Sequence, residues 1–519
     1  MKKNFVLLVM LAALLPLQIF AQNRKDNLCY DENCVLEILK DMKSADTVIA
    51  NKAEKDFTEV VDNYVNRCNK RTKNALIKST TMFAEKFPND KCTNYILSQM
   101  PKFCTYKDLD AFDFLLENDR IADRIIRIIG DIKGSADYIL KYINEHKANL
   151  QYKGALAYAI GKQQITSMED ELVLWLKDAD VTAKIDIYNA LVVIKSNENT
   201  EKIIIKGAKK LNKNKVPEYK IAGMRLLVTM QGEQALSVLY KALKHKDGNV
   251  RREALELMKP FANQEVVDKV VKKCKSGEAL TDVINWMGDI KNDSYIDLII
   301  QQLTLNDKNN VKAAIIAIFK IDNPKGIAAV KPMFGGNYQD VIYKSMLAYK
   351  GDYRAVLDDL MSSGKDKQKL ASLQILESRH DGRLYMRVQD CLYSNNDEVS
   401  DLAYKVLKLV AGPANAEALK SILENCDEKY IGDVQLAIRA AMMNVPASNK
   451  DTYVSTLKHV RSDLMPRYYK VFAYFGTELC VEKLIDAYQN GAYQNDAREA
   501  LILVDNEKLR LRIAEVINN

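Results

Sequence analysis

The sequence predicts an all-α fold built as a solenoid of stacked helix pairs. Three observations carry that prediction. Only 20 Gly and 10 Pro occur in 519 residues, too few for a turn-dense β-sandwich or barrel. Four glycine-centred segments fall on one ladder, and apolar residues recur at helical spacing within each rung. A composition of 48% hydrophobic and 28% charged residues excludes both a disordered chain and a multi-span membrane protein.

The chain opens on a targeting pattern. Lys2 and Lys3 precede residues 5–17, which carry no polar side chain, and Ile19-Phe20-Ala21 offers a small residue before Gln22. Charged start, apolar run and small-residue cut are the parts of a secretory signal peptide over residues 1–21. The run is shorter than the roughly 20 residues of a bilayer span and contains Pro16. Because Cys29 is the first cysteine, a lipoprotein start is not indicated. The expectation is therefore a periplasmic or secreted protein without a transmembrane anchor after cleavage. The formal charge of +7 falls to +5 once residues 1–21 are removed, which argues against nucleic acid as partner.

Residues 22–118 read as an N-terminal helical cap, with helices over 32–43, 45–68, 72–87 and 109–117. A solenoid's first unit has no neighbour before it and needs such a cover. A separate recognition domain is the alternative. Five of the nine cysteines, Cys29, Cys34, Cys68, Cys92 and Cys104, cluster here. Export makes disulfides possible, but five cysteines leave the pairing open. Cys274, Cys391, Cys426 and Cys480 fall on apolar rows and read as small buried thiols.

The repeat array is expected over residues 119–519. Ile128-Ile129-Gly130-Asp131-Ile132-Lys133 and Trp286-Met287-Gly288-Asp289-Ile290-Lys291 are alike, and Gly161 and Gly476 sit in similar settings. The step from Gly130 to Gly161 sets one period; Gly130 to Gly288 is close to five of them, and Gly288 to Gly476 close to six. Glycine suits the end of a first helix, where a left-handed residue is common. One unit is legible over 247–274. Val250, Ala254, Leu255 and Met258 form the apolar side of a first helix, Pro260 marks the turn, and Val266, Val267, Val270, Val271 and Cys274 form the stripe of a second. Neither stripe is covered within the pair, so stacking of neighbours must bury both and give a curved rod. Further units fall at 181–208, 221–243, 311–333, 341–361, 370–392, 399–423, 434–457 and 497–517, for twelve or thirteen in all.

Asp247-Gly248-Asn249-Val250-Arg251-Arg252-Glu253-Ala254 resembles the D-x-x-V-R-x-x-A signature of HEAT repeats, in particular the short HEAT-like kind named after phycobilisome lyases. Residues 307–314 are similar, with Asn310-Val311-Lys312 departing from the usual spacing and Lys312 in place of Arg, and Asp397-Glu398-Val399 is a weaker copy. The resemblance implies right-handed stacking with Asp and Arg bonding across adjacent units and is nearly silent about function; together with the signal peptide it suggests an exported bacterial-type solenoid. It implies no lyase activity.

No catalytic signature accompanies the array. His146, His245, His380 and His459 are isolated, and no H-E-x-x-H, G-x-S-x-G or P-loop is present. The sequence therefore predicts no enzyme, no metal and no cofactor. Residues 201–275 hold 18 Lys or Arg against 8 acids. Lys206, Lys209, Lys210, Lys213, Lys241, Lys244 and Arg252 are the candidate patch for an anionic partner, unless they simply solvate helix faces. Residues 338–493 hold 14 of the 26 tyrosines. Tyr338, Tyr343, Tyr349, Tyr353, Tyr468, Tyr469, Tyr488 and Tyr493 are the candidate aromatic surface, unless they pack between helix pairs. The leading expectation is a scaffold that binds another protein in the cell envelope. A glycan or cell-wall polymer binder is the alternative, and a hydrolase or lyase with a composite site comes third.

Overall fold

A computed structural model describes residues 31–67 and 70–518. The expected signal peptide, Cys29 and Cys68 lie outside the described residues. All regular structure among the described residues is helical, and none is strand. The chain divides into two compact units, one ending at Phe261 and one beginning at Ala262.

The first unit begins with α1 (Glu32–Asp41), α2 (Thr47–Arg67), α3 (Lys70–Lys86), α4 (Lys91–Gln99) and α5 (Asp113–Leu116). Helix α3 lies against α1, α2 and α4, and so buries residues on most of its circumference, including Leu76, Ser79, Thr80 and Phe83. The buried hydroxyl of Thr80 donates back to the Leu76 carbonyl at 2.6 Å, which satisfies it without a partner helix. Helix pairs follow: α6 (Ala122–Asp131) with α7 (Ala136–Glu145), α8 (Lys153–Lys162) with α9 (Glu169–Trp175), α10 (Val181–Ile194) with α11 (Glu198–Asn212), and α12 (Pro217–Gln231) with α13 (Leu236–Ala242). Helix α14 (Gly248–Met258) closes the unit. Each first helix packs on the next, α6 on α8, α8 on α10, α10 on α12 and α12 on α14. One apolar core runs from Val35 to Ala235, so it is continuous through residue 118.

The second unit continues the alternation. It opens with α15 (Gln264–Lys273), followed by α16 (Gly277–Asp289), α17 (Ile296–Gln302), α18 (Lys308–Ile321), α19 (Pro324–Val330), α20 (Gln339–Ala348), α21 (Tyr353–Ser363), α22 (Asp366–Arg379) and α23 (Tyr385–Leu392). It ends with α24 (Asp397–Val410), α25 (Ala416–Asn425), α26 (Ile431–Met442), α27 (Ala447–Thr456), α28 (Pro466–Phe475), α29 (Glu478–Asn490), α30 (Gln494–Ile502) and α31 (Arg510–Asn518). The even-numbered helices from α16 to α30 pack each on the next. This nearest-neighbour pattern is what defines a solenoid. From α6 onward, thirteen first helices and thirteen second helices alternate along the described chain.

The helix phase matches the apolar rows. Val250, Ala254, Leu255 and Met258 are buried, as are Val266, Val267, Val270 and Cys274, while Val271 is only half-buried. Asp247 caps its own helix, accepting from the backbone N–H of Asn249 at 2.8 Å and of Val250 at 3.3 Å. Asp307 does the same for α18, and Asn396, not Asp397, does it for α24. The signature acid is thus a helix N-cap, whose side chain satisfies donors the first turn leaves open. Arg251, 6% exposed, donates to the carbonyls of His245 and Lys246 at 2.9 and 3.1 Å.

The glycine ladder has a different cause from the one expected. Only Gly476 takes a left-handed backbone, with φ 58°. Gly130, Gly161 and Gly288 lie inside helices, where the next first helix crosses them. A Cβ at these positions would come within 2.7, 3.0 and 2.8 Å of the Cα atoms of Ala159, Ala190 and Ala317. Each glycine therefore meets an alanine of the following first helix, so bare backbone sits on a methyl group and the helices close up. The left-handed residue follows three positions later, at Gln164 and Lys291. There the N–H groups of Gln164 and Ile165 bond the carbonyls of Gly161 and Ile160, and Lys291 and Asn292 bond Gly288 and Met287. Both ends are Schellman caps.

Arginines stitch other helix ends. The Arg379 guanidinium donates to the carbonyls of Met346, Leu347 (3.1 Å) and Tyr349 (2.8 Å) at the end of α20 and lies 3.9 Å from the Tyr353 ring centroid. Charged hydrogen bonds of this kind contribute about 1.5–3 kcal/mol each. Arg379→Met is expected to lower urea-unfolding stability by about 2 kcal/mol. A loss below a few tenths would mean that solvent replaces those bonds.

Among the clustered cysteines, Cys92 and Cys104 are bonded to no other described cysteine. The Cys92 Sγ donates to Asp90 at 2.9 Å, and burial with the adjacent carboxylate pushes its thiol up to about 12. Burial also raises Cys104. Cys34 lies in the first turn of α1, its N–H capped by Asp31. The scattered cysteines, Cys274, Cys391, Cys426 and Cys480, are all buried.

Candidate functional site: a lysine ridge and an acidic groove

Helix α11 sorts its residues into two faces. Thr200, Ile204, Gly207, Ala208 and Leu211 face inward, and a Cβ at Gly207 would run into the Tyr188 ring as it is placed. The outward face carries Lys206, Lys209 and Lys210, with Lys213 just past the end of the helix, and all four are exposed. With Lys202 and Ile205 they line a shallow depression of about 470 Å³. Lys202 stands 3.8 Å from Glu198. The other four have no carboxylate within ion-pair distance among the described residues. At 1.5 Å per residue, the row from Lys206 to Lys213 spans about 10 Å. The helix holding it is anchored at its start, with Asn197 capping the Thr200 N–H at 3.0 Å. Four uncompensated cations on one face set up a positive potential that attracts anions.

The remaining basic candidates stand apart from that lining. Lys241 and Lys244 are exposed at the end of α13, and Arg252 is exposed on α14 with its guanidinium on Asn249 at 2.8 Å.

The structure does not assemble the tyrosine surface. Tyr349, Tyr468 and Tyr469 are buried, and Tyr338, Tyr343, Tyr353 and Tyr488 are half-buried. Tyr493 alone of the eight is exposed, at 38%. The reason lies in their hydroxyls. Tyr349 donates to Asp322, Tyr353 to Asp381, and Tyr468 to Glu424 at 2.8 Å, while Tyr343 shares a 2.6 Å bond with Ser378. Burial, followed by the neighbouring acid, raises Tyr349 and Tyr468 well above the ordinary phenol range. These rings are inter-repeat packing with a polar tip tied off.

A second concave site carries no sequence motif. A groove of about 550 Å³ opens at the first repeat, between α5, α7 and the turn that leads into α8. Tyr138, Tyr142 and Tyr152 form its walls; Asp113, Glu117, Asp119 and Glu145 stand on its rim with Lys141 and His146. Tyr138 and Tyr142 are one turn apart on α7, so they share a face. Tyr152 holds φ 53° at the start of α8, a conformation uncommon for a bulky residue. Its hydroxyl donates to Asp119 at 2.5 Å, and that of Tyr138 donates to Asp113. Burial, then the bonded carboxylate, raises Tyr138 beyond the phenol range and pushes Tyr152 up to about 12, so both keep their protons. The His146 ring stacks on Tyr142 at 4.2 Å, and its Nδ1 lies 2.9 Å from the Tyr142 carbonyl. Only the i, i+4 spacing of Tyr138 and Tyr142 was visible in sequence. Asp113, Glu117, Asp119 and Tyr152 come from other segments.

Carboxylates and a histidine in one groove are what a composite hydrolase or lyase site would need. Here every carboxylate on the rim is exposed, whereas general acid–base work calls for a desolvated pair with separated affinities for the proton. The geometry favours binding. Among the described residues, no group of three or more His, Cys, Asp or Glu is placed to hold a metal ion, and no helix is long and apolar enough to cross a membrane.

No protein-family model matches the chain, and no curated protein is similar to it in sequence. Solved structures are similar in fold. Kap95p in a study of its binding to RanGDP is 11% identical, covering 94% of this chain and 80% of its own, with a TM-score of 0.45. Importin beta crystallised in an ammonium sulfate condition is 12% identical over 93% of this chain and 79% of its own, at 0.41. The karyopherin Kap121p bound to the SUMO protease Ulp1p is 11% identical over 93% of this chain and 65% of its own, at 0.39.

Proposed function

We propose that the protein is an exported scaffold of the cell envelope that binds an acidic partner protein through the lysine ridge of α11. The observation that carries this reading is the row of four lysines, on and just past a helix whose other face is locked into the core, with no counter-ion among the described residues. A ridge that only solvated the helix would be expected to hold i, i+4 acids, as Glu198 does for Lys202. Export rests on residues 1–21, and residues 22–118 serve as the cap that closes the first repeat. A repeat stack suits this role because it exposes much surface on rigid elements.

A photo-crosslinking residue at position 202, which lines the same depression, is expected to trap one envelope protein in stoichiometric yield. Lys206→Glu, Lys209→Glu and Lys210→Glu together should reduce that yield at least about tenfold, because like charges then face the partner. Raising salt from about 0.05 to 0.5 M should weaken capture in the unmodified protein as screening shortens to a few ångströms. Trapping of a polyanionic glycan instead would favour the cell-wall reading. An unchanged yield in the reversed variant would remove the ridge from the account.

A further inference from the structure

The groove at the first repeat has the opposite electrostatic character to the lysine ridge. Asp113, Glu117, Asp119 and Glu145 bring four negative charges, and Lys141, 3.9 Å from Glu145, returns one. The two tyrosine hydroxyls occupy one oxygen each of Asp113 and Asp119, which leaves the second oxygens open to a ligand. Glu117 has no hydrogen-bond or ion-pair partner among the described residues. Between these acceptors lie aromatic rings, whose faces attract cations. Carboxylates and tyrosine faces around one cavity suit a head that is cationic and flat or compact. The volume falls in the range of ligand pockets, about 300–1,000 Å³, larger than one such head requires.

We infer that this groove binds an extended arginine- or lysine-bearing peptide segment of a partner protein, with the cationic side chain seated between the tyrosine rings and the rim carboxylates. Charge complementarity selects the cation, since a neutral sugar would not offset the desolvation of the rim. A free polyamine offers the same charge. The peptide is favoured because Asn149 and Gln151, which also line the groove, provide the amide donors and acceptors that a main chain uses and an alkyl chain does not. The inference uses none of the α11 lysines and stands or falls separately from the ridge.

The test is fluorescence anisotropy of the full chain with a labelled heptapeptide of alternating glycine and arginine, at about 0.15 M salt. The same peptide with citrulline for arginine keeps the shape and removes the charge. The arginine peptide is expected to bind at least about tenfold tighter than the citrulline peptide. Asp113→Asn, Glu117→Gln and Asp119→Asn combined should erase that preference with helical circular dichroism unchanged. Tyr142→Leu, which keeps apolar bulk, should weaken binding several-fold. Lys206→Glu with Lys209→Glu and Lys210→Glu should leave the groove-dependent preference in place. Equal affinity for the two peptides, or full binding by the folded triple-amide variant, would overturn the inference. Groove-dependent binding of spermine without binding of the peptide would overturn it in favour of a free amine.

Discussion

Gly288→Leu is expected to destabilise the second unit by about 3 kcal/mol, the upper part of the range for overpacking a core. The Cβ of any residue at 288 would sit 2.8 Å from the Ala317 Cα and 3.1 Å from its Cβ. Backbone cannot swing away as a side chain can, and α18 is pinned by buried Val311, Ala314, Ile315 and Ile318. The two helices would have to separate, opening the contact that joins consecutive repeats. Gly432→Ala is the matched control, because a Cβ there meets nothing within 4 Å, and the better helix former should be neutral or stabilising by up to about 1 kcal/mol. Urea unfolding of the two variants checks the pair. Equal behaviour would mean that the glycine ladder is not a packing device.

Val270→Asp is expected to cost about 3–5 kcal/mol, since it leaves an unpaired carboxylate in an apolar stack. Val270 is fully buried on α15 beside Val266 and Val267. Val271, the next residue and only half-buried, can turn a carboxylate to water, so Val271→Asp should cost markedly less. The contrast between neighbours tests helix phase and not merely helix content. A midpoint near that of the unmodified protein for Val270→Asp would place this row on the surface.

The repeat was legible because it is written in one dimension. The even spacing of the glycine rungs and the rows Val250–Ala254–Met258 and Val266–Val270–Cys274 are properties of the string, and the helices obey them. What the string lacks is the neighbour. Gly130, Gly161 and Gly288 were visible as a ladder, but their cause is an alanine on the next first helix, which only the packed pair reveals. Tyr349 and Tyr468 carry no mark in the string that separates surface from packing; Asp322 and Glu424 at their hydroxyls do. The lysine row of α11 was legible because it lies on a single helix. The acidic groove was not, since its lining is shared among α5 and the residues after it, α7, and the turn before α8, and no one of these segments carries a motif.

Everything above depends on each repeat packing on the next along its unit. Zero-length carbodiimide coupling of Lys to Asp or Glu, read by mass spectrometry, measures it directly. The ion pairs Lys153–Asp178, Lys320–Asp289, Lys331–Asp359 and Lys429–Asp401 span 25, 31, 28 and 28 residues, and links at those separations are the predicted result. Links joining residues of one unit across three or more repeats, with these four absent, would contradict it.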